Sequence, residues 1–104
     1  MTDQSLECGL DRLDGTEQGR YGALRAAMRL AVEETRDLPD GYTIRLRPDV
    51  TIFRQVAEWI SLERRCCPFL CLTLQWSDGN AVWLTLTGGP GVKEFLAGRL
   101  AASS

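Results

Sequence analysis

The sequence predicts an α+β fold of two layers: one mainly antiparallel sheet of about four strands with helices on one face, in the order β-α-β-α-β-β-α. Two observations carry most of this. Tyr42–Arg47 and the segments around Leu72–Trp76 and Val82–Leu86 alternate apolar and polar residues, as half-buried strands do. Ile52, Phe53, Val56, Trp59 and Ile60 instead recur at helical spacing. A chain of 104 residues without repeats or a linker fits a single α+β domain over 1–104.

In chain order, Leu6, Cys8 and Leu10 share one side of a predicted strand over Ser5–Leu10, with Cys8 read as core packing in preference to a fourth ligand of the thiol site. Asp14-Gly15 signals a turn, and Thr16 is the expected N-cap of a helix from near Glu17 to Arg36. Tyr21, Leu24, Met28, Ala31, Val32 and Thr35 form its apolar face. Leu38-Pro39-Asp40-Gly41 turns the chain into the strand Tyr42–Arg47.

The central helix, Thr51 to about Cys66, places Glu63 on its apolar stripe, one turn before Cys66 and Cys67. A carboxylate on a buried face either finds a partner or titrates to its neutral form, and an arginine is one such partner. Pro68 stops the helix, and the reversal Pro68-Phe69-Leu70 leads to Cys71 at the start of the next strand. An odd hairpin loop, Ser77-Asp78-Gly79 with Gly79 left-handed, pairs Leu74 with Val82 and Leu72 with Leu84 and keeps one face apolar. Thr87-Gly88-Gly89-Pro90-Gly91 reads as a tight turn with Pro90 at the first position of a last helix, rather than as a phosphate cradle.

The other sheet face carries Thr43, Arg45, Arg47, Thr73, Gln75, Trp83 and Thr85, so Trp83 reads either as a lone surface residue or as the centre of a homodimer contact.

Composition narrows function. The net charge of −2 gives no electrostatic footprint for nucleic acid. No apolar run spans a bilayer, and Met1-Thr2-Asp3-Gln4 lacks a signal-peptide core. A cytoplasmic location with reduced thiols is therefore expected, against a disulfide framework. The chain has no histidine, which removes His-based catalysis and His-containing metal sites.

What remains is a thiol site: Glu63, Cys66, Cys67 and Cys71 as candidate ligands for a soft metal or metalloid such as Zn(II), Cu(I), Hg(II) or As(III). The same residues suit a thiol-dependent redox enzyme or transferase, with Arg64 or Arg65 lowering a thiol pKa and Cys71 resolving. The third reading is an interaction domain with inert, buried cysteines.

The segment Glu63-Arg64-Arg65-Cys66-Cys67-Pro68-Phe69, followed by Gly88-Gly89-Pro90-Gly91-Val92-Lys93-Glu94-Phe95-Leu96, resembles a group of small bacterial proteins. These carry an E-R-x-C-C-P-F segment and a glycine-rich turn before K-E-F-L. The resemblance covers the second half of the chain and implies thiophilic-metal, arsenic or mercury handling. It makes Glu63, Cys66 and Cys67 the shared set and assigns no catalytic residue.

Overall fold

Four strands form one antiparallel sheet in the order β1-β2-β4-β3, with the helices packed on one side. The structure is a computed structural model, and it describes residues 9–103. The α+β class, the open sheet and the two layers are those expected from the sequence.

The start of the chain departs from expectation. Residues 5–8 of the predicted first strand, Cys8 included, lie outside the described residues. Leu10–Arg12 forms a 3-10 turn, not a strand. Helix α1 spans Gly15–Ala31, and its N-cap is Asp14, not Thr16. Asp14 Oδ1 accepts from Glu17 N at 2.8 Å, and Asp14 N donates to Glu17 Oε1 at 3.0 Å. This reciprocal capping box satisfies two backbone-terminus donors, which Thr16 cannot match.

Helix α1 also ends five residues earlier than predicted, and the fourth strand comes from its expected last turn. Strand β1 (Val32–Leu38) pairs with β2 (Gly41–Leu46) across the Pro39-Asp40 turn. Val32 and Thr35 favour extended backbone, and the hairpin gives their peptide groups partners on β2. As an edge strand, β1 is largely exposed.

Helix α2 (Val50–Cys66) is the spine of the helix layer, buried through Ile52, Val56, Trp59, Leu62, Glu63 and Cys66. Asp49 caps it, accepting from Thr51 N at 2.7 Å and Ile52 N at 3.2 Å. Pro68 follows the C-cap residue Cys67, as expected.

Strands β3 (Cys71–Ser77) and β4 (Ala81–Thr87) form the second hairpin. The loop is odd and Gly79 is left-handed at φ 79°, but the register lies two residues from the predicted one. Leu72 faces Leu86, Leu74 faces Leu84 and Trp76 faces Val82. The alternation is preserved, and Trp76 gains a cross-strand apolar partner that the shorter pairing denies it.

At the end of β4, the last turn differs in detail. Gly91 is left-handed at φ 88°, Pro90 lies within the turn, and α3 (Val92–Ser103) starts after both. Asp40 and Glu94 line the cleft beside these glycines, and Lys93 Nζ donates to Leu38 O at 2.6 Å. Flanking carboxylates disfavour an anion, which agrees with a structural turn.

Candidate functional site at the C-terminus of α2

Glu63 has no solvent exposure and is the one buried charged residue among those described. The apolar stripe of α2 carries it inward, where residues from two other helices meet it. Tyr21 of α1 donates its hydroxyl to Glu63 Oε1 at 2.5 Å. Arg99 of α3 donates from Nη1 to Glu63 Oε2 at 2.7 Å, and from Nη2 to the Tyr21 oxygen at 2.8 Å. The three side chains close a ring of charge-assisted hydrogen bonds that ties the three helices together.

Sulfur lies against this ring. Arg99 Nη1 is also 3.7 Å from Cys67 Sγ, so one guanidinium nitrogen touches both the carboxylate and a cysteine. Cys67 caps α2, its N–H donating to Glu63 O at 2.7 Å, and its own carbonyl accepts from Leu70 N at 3.2 Å. Cys66 and Cys67 are both without solvent exposure.

The electrostatics follow from burial. Tyr21 is pushed up to about 12, first by desolvation and then by the hydrogen bond to Glu63. The Cys66 thiol is raised above the ordinary cysteine range by burial, with the Glu63 charge adding to it. For Arg99, burial alone works against the charge, but Glu63 and Tyr21 together outweigh it and its pKa is raised. Arg65 does not activate Cys66 as supposed from the sequence. It pairs with Glu17 at 2.7 Å and donates to Arg12 O at 3.1 Å, and its pull on the thiol is smaller than burial and Glu63.

The predicted site residues are thus separated into unlike environments. Glu63, Cys66 and Cys67 come together, but in the interior rather than at a pocket rim. Cys71 is an exposed free thiol at the start of β3. Cys66 is also free, whereas Cys67 is disulfide-bonded. The expectation of fully reduced cysteines therefore fails at Cys67. The Cys67 side chain is buried against Arg99.

Both Glu63 oxygens are engaged by Tyr21 and Arg99, and Cys67 has spent its thiol. Among the described residues, no group of three or more Cys, Asp or Glu side chains is disposed to hold a metal ion.

Tyr21 and Arg99 escaped the sequence reading. Tyr21 looked like an ordinary member of an apolar face, and no motif or spacing singled out Arg99. The signal available was the unpaired carboxylate of Glu63, which demands a cation and a donor somewhere in the chain. No family model, curated protein or solved structure matches this chain. No helix among the described residues is long and apolar enough to cross a membrane.

Proposed function

We propose that the domain works by thiol–disulfide exchange at Cys67. The observation that supports this is the position of Arg99 Nη1, shared between Glu63 Oε2 and Cys67 Sγ. A fixed guanidinium beside a disulfide sulfur stabilises the thiolate that leaves when the bond is broken, and better leaving thiolates leave faster. Glu63 and Tyr21 act as positioning residues that hold Arg99 in place.

Cys67 is disulfide-bonded, whereas Cys66 and Cys71 are free. In the exchange, an external thiolate attacks the sulfur bonded to Cys67 and forms a mixed disulfide with it. The old S–S bond breaks and Cys67 leaves as a thiolate beside Arg99. A second external thiol then attacks the external sulfur of the mixed disulfide and releases the protein thiol, so two electrons pass from two thiols to the protein disulfide.

Equilibration with reduced and oxidised glutathione, followed by gel-shift alkylation and peptide mapping, tests this. The expected result is a reversible couple at Cys67 whose potential falls by about 30 mV or more in Arg99→Met, a tenfold shift for two electrons. A disulfide inert to thiols, or a potential indifferent to Arg99, overturns the proposal. Circular dichroism of the variant separates either result from unfolding.

A second reading concerns the reduced form. Reduction frees the Cys67 sulfur next to the free Cys66 thiol, and adjacent soft donors suit Cu(I), Zn(II) or trivalent arsenic. Binding then requires prior reduction and releases protons. Calorimetry with each ion on reduced and oxidised protein tests this, and equal uptake by both forms counts against it.

The outer sheet face bears on assembly. Trp83 lies under the Arg36 guanidinium, 4.6 Å from the ring centroid, so a second copy docking there must stack on that cation. Light scattering decides the matter: a dimer that becomes monomeric in Trp83→Arg supports the homodimer, and a monomeric wild type removes it.

A further inference from the structure

The helix layer does not cover the sheet completely. Strand β1 is the edge, and its Val32 and Thr35 are exposed although they pair with the buried residues Leu46 and Ile44. Beside them, between α1, the sheet and α3, lies a cleft of about 100 Å³. Its apolar wall includes Met28, Ile44, Trp59, Leu84, Leu86 and Leu96.

Two features give this cleft a chemical preference. Its remaining charged lining is Arg25, Arg29 and Arg99, with no acidic side chain. Arg99 is committed to Glu63, and Arg29 makes no ion pair among the described residues. Arg25, Met28 and Arg29 follow one another at helical spacing on α1, so the guanidinium groups stand at one side of the apolar wall. The second feature is Trp59 in the apolar wall, whose buried indole N–H has no hydrogen-bond partner among the described residues and so reports on what fills the cleft.

We propose that this cleft binds a small apolar monocarboxylate, an alkyl or aryl acid of roughly six to eight carbons. An enclosed apolar cavity of about 150 Å³ accepts a benzene ring, so the smaller, side-open cleft takes the tail of such an acid. The carboxylate lies at the arginine side, where a guanidinium offers paired donors. The acid's chain displaces solvent from the apolar wall beside Trp59 and changes the surroundings of its indole.

Octanoate is the probe, added to the full-length oxidised protein and followed by calorimetry and by the indole N–H resonances in nitrogen-correlated NMR spectra. Trp59→Phe assigns the relevant resonance among the three tryptophans. Saturable one-to-one binding is expected, with the Trp59 resonance moving and octanol binding at least tenfold more weakly. Arg29→Glu, an exposed position, is expected to weaken octanoate about tenfold and leave octanol unchanged. No saturation at millimolar octanoate overturns the proposal. So does an unmoved Trp59 resonance, octanol binding as tight as octanoate, or an Arg29→Glu variant of unchanged affinity.

Discussion

Glu63 shows what a single residue dictates in this protein. Its carboxylate is wholly buried, and Arg99 neutralises it from 36 residues away in the chain. Removing one partner of such a pair strands the other, which costs about 3–5 kcal/mol. Glu63→Gln keeps the shape but leaves the Arg99 charge without its counterion. It is therefore expected to destabilise by about 3 kcal/mol in urea unfolding, not to act as a silent change of charge. The position of Glu63 on a buried face was legible in the helical spacing. Its partners were not, because spacing describes one helix and Tyr21 and Arg99 belong to two others.

Tyr21 gives the same cluster a pH signature. Its folded pKa of about 12 lies above the ordinary phenol value of about 10. The folded state holds the proton more tightly, so the stabilisation is complete below about pH 10 and is lost as pH rises through about 12. In ultraviolet titration near 295 nm, one phenol is expected to ionise only near pH 12, and Tyr21→Phe is expected to abolish that step. A step unchanged in Tyr21→Phe contradicts the buried hydrogen bond.

At the scale of elements, the ends were harder to read than the middles. Helix α2 and strands β2, β3 and β4 lie where periodicity put them, because each buries one face against the core. The α1–β1 boundary went unseen because Val32 and Thr35 continue the helical spacing of Tyr21, Leu24, Met28 and Ala31. Pairing with β2 overrides that pattern, and such tertiary contacts are invisible in a local window. The Asp14-x-x-Glu17 spacing of the capping box stands in the sequence, but Asp14-Gly15 also reads as a turn signal and masks it. Asp14→Ala is expected to cost about 1 kcal/mol, while Thr16→Ala stays within about 0.5 kcal/mol. Thermal unfolding of the two variants compares the competing caps directly.

Across the whole molecule, α2 joins the sheet, the other helices and the disulfide. Val56 sits at its centre with no exposure, so Val56→Asp buries an unpaired charge and is expected to destabilise by several kcal/mol in urea unfolding. The cross-link acts differently, chiefly on the unfolded chain. The disulfide at Cys67 typically stabilises by about 2–4 kcal/mol. That contribution exists only while the bond is intact. Cys67→Ala is therefore expected to lose about 2–4 kcal/mol against oxidised wild type and far less against reduced wild type. Cys71→Ser, at an exposed free thiol, is expected to match wild type in both conditions. Urea unfolding with and without dithiothreitol separates the cross-link from ordinary packing. A Cys67→Ala deficit that persists in full under reduction assigns the loss to packing, and a deficit in Cys71→Ser contradicts an exposed free thiol there.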